Sequence, residues 1–445
     1  MFYRTWDGLP EDPYFPSDLE KLGYFVNESD EIRSLEDEKY YFKFFINKNQ
    51  RYNDRQRFAM NEAVEKVVHQ RLEALGLKKT LLPLGTTDIS QPHLPVFVSS
   101  DIKDKSRVVV VIGETYQDLG ILAHRVLGGP GGVDNGSMVS VVKTLQAQPS
   151  SPTDSDDHDA SPPGIILANT GQTVWSPALR RTLTLVGSGG APMPSAVHAG
   201  PRWDGERERV PGNGDAREHI AYVFEQVVPA LVGAGAGLDV IAVGDGADAL
   251  EQYLDWPVTW ARLAGRLNCL AIVGGYHAAD NIKCSAFREF LRKKARAYAT
   301  SSDPLGTPIS GPDGNANTTA FTRLGCPLFS GGEPHYVEAL LGACLPHLAG
   351  WLAEVARAGR GNYANPAMAV MYADPGLGGD DDDGEEEEED PWSKYTSAPV
   401  REQSPTDFGA GPATEVWDGQ GGGKREDEDE DDEIIRELEK GLIFH

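Results

Sequence analysis

Short aliphatic runs recur along the chain, each bounded by glycine or proline, and between them apolar residues return every three or four positions. The run 107–112, Arg-Val-Val-Val-Val-Ile, is almost continuously apolar and leads into Gly113-Glu114-Thr115, as expected for a parallel strand covered on both faces. Residues 165–168, 240–243, 267–273 and 326–329 repeat that signal. Residues 117–127, 216–231, 285–298 and 336–358 read as helices, the third basic and amphipathic. Four or five buried strands alternating with helices imply an α/β fold on a mostly parallel, doubly wound sheet. Upstream, 23–26 and 40–46 read as a hairpin. The segment 53–75 follows as a helix with Asn53 as N-cap, Met60, Val64, Val68 and Leu72 on one face, and Gly76 as its stop. Residues 1–17, with Pro10, Pro13 and Pro16, read as an extended arm.

The pattern breaks in two places. Residues 146–163 are rich in Pro, Ser and Asp and read as a disordered, solvated insertion within a domain spanning 18–373. Residues 374–445 carry 25 acidic and 6 basic side chains, which puts −19 of the net charge of −27 into a disordered acidic tail. The end of that tail places Ile434, Leu438 and Leu442 at helical spacing, which suits either a short helix for a partner groove or a frayed end. This acidity opposes contact with a nucleic-acid backbone. The helix at 285–298 is the one concentrated basic patch, open to three readings: a solvated face, a seat for the acidic tail, or a contact for RNA phosphates. Direct RNA contact is left undecided. The four cysteines form no Cys-x-x-Cys pair and suit a reducing compartment. No His or Cys set has metal-ligand spacing, so neither a metal nor a cofactor is expected. No apolar run reaches 18 residues and no leader opens the sequence, so neither secretion nor a membrane span is expected.

The chemistry centres on Val243-Gly244-Asp245-Gly246-Ala247, where a buried strand enters a helix through a tight turn. That is the setting of a nucleophile elbow. Read so, Asp245 is the exposed residue, and Val243 and Ala247 stand where small residues normally relieve crowding. His335, after the last strand, occupies the place of a hydrolase histidine, and Gly113 that of the oxyanion loop. One reading makes Asp245 a carboxylate nucleophile whose ester a water activated by His335 hydrolyses. The other, which the residues favour, makes Asp245 a cap for the following helix. His277 and Asp280 read as a polar couple near the carboxyl ends of the strands, suited to a ligand or to a satisfied turn.

Several strings, in order, resemble the argonaute-binding protein 2 domain in its fungal form, and the related animal cotranscriptional regulators. They include Asp18-Leu-Glu-Lys-Leu-Gly-Tyr-Phe-Val-Asn, Gly164-Ile-Ile-Leu-Ala-Asn-Thr-Gly-Gln, Arg209-Val-Pro-Gly-Asn, Arg217-Glu-His-Ile-Ala-Tyr-Val-Phe, Val243-Gly-Asp-Gly-Ala, Val273-Gly-Gly-Tyr-His and Ser302-Asp-Pro-Leu-Gly-Thr-Pro. The resemblance implies an α/β-hydrolase-like fold used for assembly rather than catalysis. It implies Argonaute and a second chaperone subunit as partners, in a small-RNA chaperone complex for siRNA-directed heterochromatin formation and gene silencing. It also implies a nuclear location, with the cytoplasm as a second one. A similar domain closes class II histone deacetylases, so a scaffold for a deacetylase or other chromatin factors is the alternative. Animal relatives carry serine at the elbow where this chain has Asp245, so the implied reading is a pseudoenzyme, with a hydrolase using Asp245 and His335 as the remaining alternative.

Overall fold

The computed structural model describes residues 8–150, 161–198, 200, 204–205, 207–315 and 322–368. Most of the 146–163 insertion, the acidic tail and the end of that tail, read as a short helix or a frayed end, lie outside these residues. Residues 8–17 run extended along the first helix, held where the Asp12 carboxylate meets Arg51 Nε at 2.6 Å with both side chains nearly buried. A small antiparallel hairpin follows, β1 (Tyr24–Val26) with β2 (Ile32–Ser34). The expected second strand at 40–46 is not one; the backbone there bonds singly to scattered partners, Tyr40 O accepting the Ser34 N–H and Lys43 N–H donating to the Tyr24 hydroxyl at 3.0 Å. Helix α1 (Gln50–Ala74) starts one turn earlier than expected. Asn49 is its cap, while the buried Asn53 carbonyl receives the N–H groups of Ile46 and Asn47.

The sheet comprises β3 (Leu77–Leu82), β4 (Leu94–Ser99), β5 (Arg107–Ile112), β6 (Gly164–Leu167), β9 (Gly237–Val243), β10 (Leu267–Val273), β11 (Ala295–Ala299), β12 (Pro308–Ser310) and β13 (Leu328–Ser330). They lie in the order β12-β13-β11-β10-β9-β5-β6-β4-β3. β4 and β12 run against the rest. Setting β12 aside and counting along the chain, the order is 1-2-4-3-5-6-7-8 with an antiparallel second strand, which is the α/β-hydrolase sheet. A separate ribbon, β7 (Val174–Ser176) with β8 (Arg181–Leu183), projects after β6.

Side chains alternate across the sheet with period two, and both faces are buried. Val108, Val110, Val240, Ala242 and Ile272 face one core. It is covered by α6 (Ala216–Tyr222), which runs through a π turn (Val223–Val227) into α7 (Val228–Leu231), and by α8 (Asp245–Leu254), α9 (Pro257–Leu263) and α10 (Ser285–Lys294). Val109, Val111, Ile241, Ala271 and Val273 face the other. There α1, α4 (Met138–Gln146) and α11 (Val337–Ala358) cover it. By length and composition α11 could cross a membrane; it lays Leu340, Leu341, Cys344, Leu348 and Trp351 into this core.

Two helix expectations fail for local reasons. Residues 117–127 hold only α2 (His124–Leu127), because Gly120 adopts φ +86° and fits against Val68 and Leu72 of α1. The helix expected over 285–298 ends at Lys294 and becomes strand β11 without a loop. Its Ala-Arg-Ala-Tyr-Ala sequence carries helix propensity, and pairing between β10 and β13 overrides it. The short α3 (Gly132–Asn135) and α5 (Leu185–Ser188) complete the elements.

Candidate functional site

β9 ends at Val243 and α8 begins at Asp245, so Gly244 is the whole of the turn, at φ +54° and ψ −135°. Few side chains tolerate that left-handed geometry, and in a nucleophile elbow it belongs to the residue that carries the attacking group. Gly244, not Asp245, therefore occupies the corner. The flanking pattern agrees, since Ala242 and Gly246 become the small residues on either side. A Cβ on Gly246 would stand 2.1 Å from the Gly113 carbonyl oxygen.

Glu114 fills the space above the corner. A Cβ on Gly244 would lie 2.7 Å from Glu114 Oε1 and 2.9 Å from its Cγ. Burial, with Asp245 and Glu338 close by, pushes the Glu114 carboxyl up to about 7. Glu338 belongs to the first turn of α11 and lies 3.7 Å from Arg125 Nε. Arg125 in turn sits 3.7 Å over the Tyr336 ring. The cavity left beside the elbow is about 20 Å³, room for about one water molecule.

Asp245 is turned aside. Its Oδ1 accepts the Thr115 N–H at 2.9 Å and its Oδ2 accepts the Thr115 hydroxyl. It makes no side-chain cap bond to α8, contrary to the capping expectation, although its charge and that of Asp248 lie in the first turn, where helix amides favour anions. The loop after β5 would supply oxyanion donors in a hydrolase, yet here a carboxylate consumes one of them. Gly113 accepts the Thr170 hydroxyl at its carbonyl oxygen, at 2.6 Å.

The other expected residues are scattered. His335 follows β13 but is exposed. Its N–H donates to Glu333 Oε1 at 2.8 Å and its ring meets Tyr336 edge-on, with centroids 6.1 Å apart. Among the described residues no hydrogen bond or ion pair joins His335 to Asp245 or Glu114. His277 is buried, with Nε2 2.8 Å from the Leu324 carbonyl oxygen and Nδ1 unpartnered, and burial lowers its basicity. Asp280 instead pairs with Arg323 at 3.2 Å, so the His277–Asp280 couple does not form. Asp303, after β11 where a triad acid would stand, is exposed and accepts the Ser301 hydroxyl.

Sequence reasoning missed Glu114, Thr115 and Glu338. The signal for the first two was Gly113-Glu114-Thr115 itself, following a buried strand. The strings behind the family resemblance converge more deeply. Asn169 N–H donates to His219 Nε2 at 2.9 Å, and His219 Nδ1 lies 2.8 Å from Asn213 Oδ1. Burial pulls His219 down to about 3, so it acts as a neutral strut.

Sheet order, elbow position and helix layers define an α/β-hydrolase-like protein whose corner residue has no side chain. The chain belongs to the Arb2 domain family, whose model matches residues 15–305. No curated protein sequence matches it. Among solved structures, one from work on two fungal esterases of Rhizomucor miehei is similar at 10% identity and a TM-score of 0.30, over 66% of this chain and 90% of that one. Poly(aspartic acid) hydrolase-1 from Sphingomonas sp. KT-1 is similar at 11% identity and a TM-score of 0.27, over 62% and 97%. The strand order, not these superpositions, defines the fold.

Proposed function

We propose that the chain is a noncatalytic α/β-hydrolase-like subunit that binds Argonaute, with a second chaperone subunit, in siRNA-directed heterochromatin formation and gene silencing in the nucleus. The observation that carries the noncatalytic half is the occupied corner: Gly244 offers no attacking atom, and Glu114 lies where one would project. A triad needs nucleophile, imidazole and acid in hydrogen-bond sequence; among the described residues the His335 ring meets Tyr336 edge-on, Asp303 accepts the Ser301 hydroxyl, and no hydrogen bond joins His335 to Asp303. The binding half is supported by membership of the Arb2 family. The test is affinity purification of the full chain from nuclear extract, followed by mass spectrometry. The expected result is an Argonaute protein recovered with it; recovery of neither silencing nor chromatin factors would overturn the reading. A histone deacetylase recovered without Argonaute would replace it with the scaffold role.

A further inference from the structure

At the end of β9 and β10 opposite the elbow, the last described segment of the chain is fastened across the carboxyl ends of α9, α10 and α11. Arg360 donates to the carbonyl oxygens of Gly235, at 2.8 Å, and Gly265. Lys294 Nζ donates to Gly361 O at 3.2 Å, and Asn365 N–H donates to Lys293 O at 2.7 Å. Arg266, just before β10, donates to Gly233 O at 3.0 Å. Arg266, Lys294 and Arg360 thus gather at one end of the sheet, and among the described residues carbonyl oxygens hold all three, with no ion pair. We propose that this cluster of cations seats the chain's own acidic run at 380–390.

The carboxylates of the surrounding elements are matched elsewhere. Glu289 meets Lys293 at 2.8 Å, Asp313 meets Arg292 at 3.1 Å, and Glu354 meets Arg296 at 3.6 Å. Glu225 meets Arg262 at 2.7 Å, and the buried Asp239 is matched by Arg107. In the loop before β5, Asp101 pairs with Lys105, while Lys103 and Asp104 are adjacent and offset one another. Three positive charges are left over. Partial burial and the charge of Arg360 pull Arg266 below its ordinary value, so the charge acting on it is a like one. Helix carbonyl ends draw cations to this end of the sheet, but a dipole carries no net charge, and the excess still calls for an anion. The basic helix as a whole is not the seat, because Arg288 is engaged by Ile282 O and Arg292 and Lys293 by carboxylates; Lys294, its last residue, contributes. The anion is near in sequence. Ten of the eleven residues at 380–390 are acidic, and the stretch from Met368 to Asp380 can span at most about 40 Å, against about 15 Å for the length of α10. Tethering gives the run an effective concentration of about 1 mM, which favours it over nucleic-acid phosphates in a chain of net charge −27.

The contact is remote from the elbow and independent of Argonaute binding, so either proposal can fail alone. The test is carbodiimide cross-linking of the full chain in about 0.1 M salt, which joins lysine amines to carboxylates touching them, read by mass spectrometry. Lys294 should link to the 380–390 run at least about fivefold more than Lys283 does, since Lys283 is exposed just ahead of α10 and equally within the tether's reach. Salt at about 1 M, which screens charges beyond about 3 Å, should remove most of that preference. Arg266→Gln combined with Arg360→Gln should lower the Lys294 link by about fivefold or more. Those arginines also hold backbone carbonyls. Should the double variant fail to fold, joint Asp380→Asn, Asp381→Asn, Asp382→Asn and Asp383→Asn changes, which lie in the tail alone, should lower the links from Glu385 to Asp390 by about twofold or more. Equal links to Lys283 and Lys294, or a Lys294 link that survives both the salt and the substitutions, would overturn the assignment. So would a link found only between two chains, or one lost to a short oligouridylate at about 10 µM, which would give the face to a second copy or to nucleic acid.

Discussion

At the scale of single residues, Gly244 and Glu114 behave as one unit. Gly244→Ser would force a side chain into a left-handed backbone and against the Glu114 carboxyl, 2.7 Å from the new Cβ. The expected cost is about 1–3 kcal/mol, read as a lower urea midpoint. Glu114→Ala should recover part of that loss in the double variant, a coupling of about 0.5 kcal/mol or more. Additive effects would mean that Glu114 does not fill the corner. Glu114 also predicts a pH signature. Its folded pKa of about 7 lies above the ordinary value of 4.5, so the native state retains a proton that the unfolded chain has lost. Stability contributed by this group is therefore full below about pH 4.5 and is lost as pH rises toward 7. Relative to wild type, Glu114→Gln should be neutral near pH 4 and stabilising by about 1–3 kcal/mol at pH 8, measured by thermal unfolding across that range. These residues were only half legible in the sequence. The Val243-to-Ala247 string located the elbow, but only the backbone angle shows that the corner falls on 244, since glycine is admitted at either neighbour.

At the scale of elements, β9 anchors the site from beneath. Asp239 on β9 is fully buried and meets Arg107 of β5 at 2.7 Å, and Arg107 also bonds the carbonyls of Pro149 and Leu352. Removing one partner leaves a buried charge unmatched. Asp239→Ala should cost about 3–5 kcal/mol, measured by denaturant unfolding, and a cost below about 1 kcal/mol would show that the pair does not hold the two strands. Strands buried on both faces were readable because their aliphatic runs admit little else; 107–112 and 267–273 appear with the expected bounds. β3 and β4 were missed. Leu77-Lys-Lys-Thr-Leu-Leu alternates irregularly at the sheet edge, and Pro95 obscured the start of its partner. β11 was hidden by its alanines, and Arg296 within it is kept from water by Tyr363 at 2.9 Å and the Trp351 ring.

At the scale of the whole molecule, a complete hydrolase sheet carries an elbow with no attacking atom. The α/β class could be read from alternating strands and helices, and the family from ordered strings spread over residues 18 to about 355, of a chain whose family model matches residues 15–305. Where the chemistry stands could not be read, because Glu114, Asp245 and Glu338 come from three distant segments and meet only through the sheet order. Large polar strings such as Asn169-Thr170-Gly171-Gln172 proved to be internal struts, with Gln172 bridging Glu65 and Asp118. These buried polar bonds tie segments together beside the two apolar cores. The most direct measurement is turnover of a panel of carboxylic ester and haloalkane substrates by the purified full chain beside Asp245→Asn. The account predicts rates equal to buffer for both proteins; turnover by the wild type that Asp245→Asn abolishes would contradict it.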